Sequence, residues 1–113
     1  MIGTNNAGDA DRTAVQNQLH ALLTKITSLR PDTRLIVAQI TPLKQTNNAS
    51  YNAVVASEVN GFKAAGKHVS LVDMFTNFPA DGQYTDGVHP NDKGFAFMSQ
   101  QWFDAIVAVA KGP

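Results

Sequence analysis

The spacing of apolar residues along the chain predicts three amphipathic helices. Between residues 11 and 30, apolar side chains recur every three or four positions, which is the repeat of a helix with one buried face. The same repeat predicts a helix over about 49–65, which Gly66 would cap, and a last helix over about 92–110. The buried stripe of this last helix is expected to contain Phe95, Met98, Trp102, Ile106 and Val109.

Two short apolar runs between the helices predict β-strands. Residues 34–40 read RLIVAQI and residues 68–73 read HVSLVD, and such runs are typical of parallel strands covered on both faces. Helices that alternate with such strands indicate an α/β, doubly wound fold. Met1 and Ile2, which precede a polar turn, look like the end of a further strand. We therefore expect one domain over residues 1–113, truncated at its N-terminus so that its first strands are missing.

The composition excludes several classes of function. Nine basic and nine acidic residues leave the chain of 113 residues without formal net charge, whereas binding to nucleic acid or to a membrane surface requires a positive field. The chain has no cysteine, which removes disulfides, thiolate metal sites and cysteine nucleophiles. Of its three histidines, His20 and His68 are interpreted as structural, and no two of the three have metal-ligand spacing. We expect no metal, no cofactor, no nucleic acid and no membrane partner.

Three polar segments follow the predicted strands, over residues 3–8, 41–48 and 77–92. In open α/β sheets the ligand crevice lies beyond the carboxyl ends of the strands, so these segments are expected to surround it. The third segment contains Asp86 and His89, three residues apart. In a turn, the Asp86 carboxylate would reach Nδ1 of His89 and leave Nε2 free as a general base. The alternative is a turn whose residues serve only its geometry.

Asn5 and Tyr84 are further candidates at this crevice. Asn5 follows the predicted strand end, so its side-chain amide would point over the strand ends, where it could donate a hydrogen bond to a developing oxyanion. The alternative is a tight strand-to-helix turn without a catalytic role. Tyr84 precedes Asp86 in the long loop and could line a substrate groove.

Taken together, these segments resemble the SGNH hydrolases, the GDSL-type esterases. Residues 3–6, GTNN, resemble the third conserved block of that family, Gly-x-Asn-Asp, and residues 86–90, DGVHP, resemble the fifth, Asp-x-x-His-Pro. The phrases HVSLVDMF and DGVHPNDKGFAFMSQQW further resemble carbohydrate esterase family three, the acetylxylan esterase branch. The resemblance implies a flavodoxin-like three-layer sandwich with a parallel sheet. It also implies a secreted serine esterase that removes acyl groups such as acetyl from carbohydrates such as xylan, through an acyl-enzyme.

The resemblance implies a role for each matched residue. Asn5 would be the side-chain oxyanion donor, His89 the general base and later the acid for the leaving alcohol, and Asp86 the group that orients His89. Asn6 stands where the family usually has Asp. The family's Gly-Asp-Ser-Leu-like nucleophile segment and its glycine oxyanion donor have no counterpart here. None of the serines is expected at a strand-to-helix elbow, where the nucleophile belongs: Ser28, Ser50, Ser57, Ser70 and Ser99.

The missing nucleophile changes the behaviour expected of the chain. Without it, and with one oxyanion donor fewer, the chain alone is expected to be close to inactive. In the flavodoxin-like strand order, the missing first strand would leave a sheet edge exposed, and such an edge invites homodimers or segment exchange. Two alternatives to an esterase stay open at this point. One is a non-catalytic remnant that binds carbohydrate or a partner protein, and the other is an unrelated flavodoxin-like binding module.

Overall fold

Three helices and two strands alternate along the chain. The computed structural model describes residues 3–4, 7–8 and 11–112. Its elements are α1 (Arg12–Leu29), β1 (Leu35–Ala38), α2 (Ala49–Ala64), β2 (Val69–Val72) and α3 (Asp92–Lys111). Each matches a predicted element, with ends that differ by at most two residues. The strand predicted to end at Met1 and Ile2 lies outside the described residues.

β1 and β2 form a parallel sheet, as the sequence predicts. The register pairs Leu35 with Val69 and Ala38 with Val72, and the Leu35 N–H donates to the His68 carbonyl at 2.8 Å. Within the described residues the sheet consists of these two strands. The expectation that both strands are buried on both faces is only partly met. All of β1 and the middle of β2 are half-buried, and only the two end residues of β2, Val69 and Val72, are fully buried.

Helices α1 and α2 pack together over one face of the sheet. The core cluster there joins Leu23 of α1, Val59 and Phe62 of α2, and Val69 of β2, each at least nine-tenths buried. Burial of apolar side chains of this size stabilises a fold by about 1.5–3 kcal/mol each. α3 contacts β2 but contributes no residue to this cluster. Partly buried side chains surround it: Leu19, Leu35, Val37 and Leu71.

The apolar stripe predicted for α3 is only partly buried. Phe95 and Ile106 are more than half exposed, so the prediction is wrong for these two residues. Phe103 is also 62% exposed, and the helical repeat places the three side chains within about 80° of arc on one face of α3. Even so, none of the helices in the described ranges is long and apolar enough to cross a membrane. The other members of the stripe are half-buried: Met98, Trp102 and Val109.

Two buried asparagines hold the chain where it leaves β1. The side-chain oxygen of Asn52 accepts from the Ile40 N–H at 2.9 Å, and its amide donates to the Ile40 carbonyl at 2.9 Å. Asn48 likewise accepts from the Leu43 N–H at 3.1 Å and donates to the Thr41 carbonyl at 3.0 Å. Both side chains are only 2% exposed. The loop over residues 41–48 is therefore fixed at the carboxyl end of β1 by α2.

Replacement of Asn52 by alanine is expected to destabilise the chain substantially. The Asn52→Ala variant would leave the buried N–H and C=O of Ile40 without partners, at a cost of about 2–4 kcal/mol in the free energy of unfolding. Urea denaturation measures this difference. Asn60→Ala, at an exposed position on the same helix, is the matched control and should change the free energy by less than about 0.5 kcal/mol. Equal losses in both variants would contradict this role of Asn52.

Candidate functional site

The loop between β2 and α3 brings Asp86 and His89 into direct contact, as predicted. Oδ2 of Asp86 lies 2.6 Å from Nδ1 of His89. Oδ1 accepts hydrogen bonds from the backbone N–H groups of Val88 and His89, at 2.9 and 3.0 Å. Gly87 turns the chain between them with a φ of +70°, a conformation that favours glycine. The turn itself thus orients the carboxylate toward the imidazole.

These hydrogen bonds stabilise the ionised form of Asp86. The bond to the His89 side chain, followed by the bonds from the Val88 and His89 amides, lowers the pKa of Asp86 from 3.8 to about 2. A carboxylate at Nδ1 keeps a proton on that nitrogen of the neutral ring, so that Nε2 carries the free lone pair. The His89 side chain is 75% exposed. Its Nε2 is therefore available to take a proton from another molecule or segment.

Main-chain hydrogen bonds close the loop around this pair. The Tyr84 N–H donates to the His89 carbonyl at 2.9 Å, and the Gly87 N–H donates to the Tyr84 carbonyl at 3.0 Å. Gln83 and Pro90 form an antiparallel bridge just outside these bonds. These bonds hold the main chain of Tyr84, whose side chain is exposed, on the same closed loop as His89. This position is compatible with the predicted role of Tyr84 in a substrate groove, which stays a prediction.

The loop over residues 41–48 contacts the same turn. The Lys44 N–H donates to the Gly87 carbonyl at 3.0 Å, and the Gln83 side chain donates to the Pro42 carbonyl. A Cβ at position 87 would lie 2.6 Å from the Cβ of Lys44, which is too close for any side chain. Gly87 is therefore needed twice, for its positive φ and for this close approach.

The first polar segment, over residues 3–8, also adjoins the 41–48 loop. A Cβ on Gly8 would lie in van der Waals contact with Thr46, 3.4 Å from its Cγ2. The 41–48 loop therefore adjoins the described parts of both other polar segments, as the positions of the strand ends predict. Asn5 and Asn6 themselves lie outside the described residues. The role of Asn5 as oxyanion donor stays a prediction.

Arg12 anchors this first segment to the start of α2. Its Nη2 donates to the Ala7 carbonyl at 2.8 Å, and its Nε donates to Oγ of Ser50 at 3.0 Å. Its guanidinium also lies 5.8 Å from the centre of the Tyr51 ring. Burial raises the pKa of Tyr51, while the charge of Arg12 acts in the opposite direction. Gly3 has a φ of +104° and leaves no room for a Cβ beside the Tyr51 hydroxyl.

In the part of the chain that the structure describes, no serine is hydrogen-bonded to the His89 imidazole. Within the described residues, the imidazole is hydrogen-bonded only to Asp86. In the same part of the chain, no group of three His, Asp or Glu residues could hold a metal ion. All five serines lie on the elements where the sequence predicts them: Ser28 on α1, Ser50 and Ser57 on α2, Ser70 on β2 and Ser99 on α3.

The structure contains a second histidine–carboxylate pair, which the sequence does not predict. Nδ1 of His20 lies 2.8 Å from Oε2 of Glu58, and the Gln16 side chain donates to Oε1 of Glu58 at 2.9 Å. Glu58 is buried, and the pair joins α1 to α2. Because His20 and Glu58 are far apart in sequence, no local spacing indicates their contact. A link between helices agrees with the structural role predicted for His20.

Comparisons with known proteins find a matching family model and several similar proteins. Residues 1–97 match the model of the GDSL-like lipase/acylhydrolase family. A multidomain esterase of Ruminococcus flavefaciens is 25% identical in an alignment 122 positions long, which covers 98% of this chain and 15% of that protein. The chain thus spans a small part of this curated relative.

Two solved structures are similar over nearly the whole chain. A carbohydrate esterase family 3 protein from Talaromyces cellulolyticus has a TM-score of 0.80 and 24% identity, and the match covers 98% of this chain and 57% of that one. A variant of an acetyl esterase, solved with an acetate ion, has a TM-score of 0.82 and 25% identity over 98% of this chain and 56% of its own. These likenesses confirm the predicted α/β fold with a parallel sheet. They also show that the chain spans little more than half of either structure.

The lowered pKa of Asp86 is expected to depend on His89. In a carbon-13 NMR titration, the Asp86 carboxyl should titrate with a midpoint of about 2, and the His89→Ala variant should move this midpoint toward the ordinary value near 4. Because the pKa is lower in the folded chain than in the unfolded chain, the pair stabilises the fold above about pH 4. That stabilisation is lost as the pH falls toward 2. His68→Ala is the control, and an equal midpoint in the wild type and the His89→Ala variant would contradict the contact.

Proposed function

Because this chain belongs to the GDSL-like lipase/acylhydrolase family, we propose that it supplies the catalytic histidine and aspartate of a carboxylic ester hydrolase. The observation that supports this most directly is the 2.6 Å contact between Asp86 and Nδ1 of His89, with the histidine side chain largely exposed. An acyl-transfer site needs an imidazole whose tautomer is held by a carboxylate while its other nitrogen meets the nucleophile.

The proposed reaction runs through an acyl-enzyme. Nε2 of His89 takes the proton of a serine hydroxyl, whose oxygen attacks the acyl carbon, and the side-chain amide of Asn5 donates to the resulting oxyanion. The bond to the alcohol oxygen then breaks, and Nε2 returns the proton to the leaving alcohol. Water then attacks the acyl-enzyme, and Nε2 takes a proton from this water. The acid is released when Nε2 returns a proton to the serine oxygen, and in both steps Asp86 stabilises the imidazolium. The proposal places the serine in a segment outside these 113 residues, so that the chain is the carboxyl-terminal portion of one esterase domain.

The substrate is proposed to be an acylated carbohydrate, with acetyl as the acyl group and xylan as an example. The similar proteins support this choice, since one belongs to carbohydrate esterase family 3 and another is an acetyl esterase. The exposed ring of Tyr84, on the same closed loop as His89, would offer a flat apolar face to a sugar. An enzyme that acts on such polymers works outside the cell, and we propose this location.

Ester hydrolysis by the chain alone should not exceed that of its His89→Ala variant. Without a serine at Nε2 no acyl-enzyme forms, so residues 1–113 should hydrolyse ethyl acetate, an ester too unreactive for a free imidazole to attack, equally slowly in both forms. Titration of the released acid at constant pH measures the initial rates. A rate that depends clearly on His89 and is lost when one serine of this chain is replaced by alanine would show that this serine is the nucleophile.

The active counterpart is the longer protein that is encoded when the in-frame coding sequence upstream of residue 1 is included. In that product, Asp86→Asn should lower kcat by about 10⁴-fold, as in other serine triads. His89→Ala should lower it at least as much, whereas His68→Ala, at an exposed position away from the crevice, should leave it unchanged. Rates like the wild type in both site variants would refute the assigned roles, whereas no ester hydrolysis by the wild-type form of this longer product would favour the non-catalytic remnant.

We also propose that the chain alone associates with copies of itself. Phe95, Phe103 and Ile106 form an exposed apolar face on α3, and a contiguous face of this kind promotes association. The incomplete sheet predicted from the sequence would add an open edge.

Light scattering should show an apparent mass that rises with concentration. The Phe103→Gln, Ile106→Gln double variant should reduce this rise, because it removes two apolar side chains from the exposed face. Leu22→Gln, at an exposed apolar position on α1, is the matched control and should leave the association as it is. A monomer at high concentration would contradict this proposal.

A further inference from the structure

A groove lies along the outer edge of β2, between α2 and α3. It encloses about 520 Å³. Val59 and Lys63 of α2 line one wall, and Ala105 and Ala108 of α3 line the other. Leu71 and its neighbours in β2 form the floor between them. The small side chains of α3 leave the floor of the groove accessible from outside.

The floor of the groove is an unpaired strand edge. The His68 carbonyl accepts from the Leu35 N–H, and the Val72 carbonyl accepts from the Gln39 N–H, so these two residues face β1. In a parallel pair, successive residues direct their main-chain groups to opposite sides of the strand. Leu71 therefore directs its N–H and C=O into the groove, and no other strand in the described part of the chain pairs with β2.

The rim of the groove carries positive charge. Arg34, Lys63, Lys67 and His68 all line it and are all exposed, whereas no Asp or Glu among the described residues lines it. The C-terminal ends of α2 and α3 lie here, and each contributes about half a negative charge. Three permanent cations outweigh these two helix ends. The guanidinium of Arg34 donates to the Val109 carbonyl and is thereby held at the end of the groove.

We propose that this groove docks an acidic peptide segment in an extended conformation, as an additional strand beside β2. An extended peptide supplies the main-chain donors and acceptors that the edge of β2 lacks, and its carboxylates would meet the cationic rim. A second copy of this chain fits poorly, because pairing two such edges would bring the cations of each copy together. Arg34 and His68 precede the strands, whereas His89 follows them, so the groove lies at the opposite end of the sheet from the proposed catalytic site.

Fluorescence anisotropy with a labelled hexapeptide of alternating Glu and Val tests this proposal. The Lys63→Gln, Lys67→Gln double variant should weaken binding at least about tenfold, because it removes two rim charges. Lys25→Gln, Lys44→Gln is the matched control, since it removes the same charge from exposed positions outside the groove, and it should change the affinity less than about twofold. Circular dichroism confirms that each variant is folded.

Two further probes distinguish a docked strand from simple attraction of charge. A hexapeptide N-methylated at alternate residues keeps its carboxylates but loses the N–H groups of one edge, and it should bind at least about tenfold more weakly. A galacturonate oligomer of equal charge should bind more weakly than the unmodified peptide. Equal binding of the methylated peptide, equal or tighter binding of the oligosaccharide, or no peptide binding up to about 1 mM would each overturn the proposal.

Discussion

The hydrogen bond between Asp86 and His89 is the interaction on which the proposed chemistry depends. It forms within one turn, because the carboxylate also accepts the backbone N–H groups of Val88 and His89. This turn also requires Gly87, because a side chain at that position would be strained by the positive φ and would collide with Lys44. A single local arrangement therefore fixes the tautomer of the imidazole and the position of its free nitrogen.

The parallel sheet decides what surrounds that pair. Its strands end at one edge, where the 41–48 loop contacts both the turn that carries His89 and the segment that carries Gly8. Asn48 and Asn52 fix this loop with buried hydrogen bonds, so that the crevice rests on α2 as well as on the strands. The opposite ends of the strands carry the cationic groove. The proposed catalytic pair and the groove thus lie at opposite ends of one short sheet.

Features that depend on local chain geometry could be predicted from the sequence. The contact of Asp86 with His89 follows from a spacing of three residues in a turn. The end of α2 just before Gly66 follows from the preference of helix ends for a glycine with a positive φ, which is +82° here. The parallel pairing of β1 with β2 follows from their apolar runs and from the helix between them. The resemblance to the SGNH hydrolases, carried by the GTNN and DGVHP segments, agrees with the family shown by residues 1–97.

Features that join distant parts of the chain could not be predicted. The His20–Glu58 pair and the contact of Lys44 with Gly87 each bring together two elements whose relative position is set by tertiary packing. The cations of the groove likewise come from separate elements that no sequence window contains. Exposure of Phe95 and Ile106 was missed for a related reason. The helical repeat identifies an apolar face, but the burial of that face depends on what packs against it.

The proposed chemistry requires that residue 5 and His89 share one crevice, and a spin label at position 5 measures this directly. The chain has no cysteine, so an Asn5→Cys variant carries a nitroxide spin label at that position alone. Paramagnetic broadening of the imidazole proton signals then reports proximity. We expect strong broadening of the His89 signals and little effect on those of His68, at the other end of the sheet. Broadening of His68 with His89 unaffected would contradict this expectation.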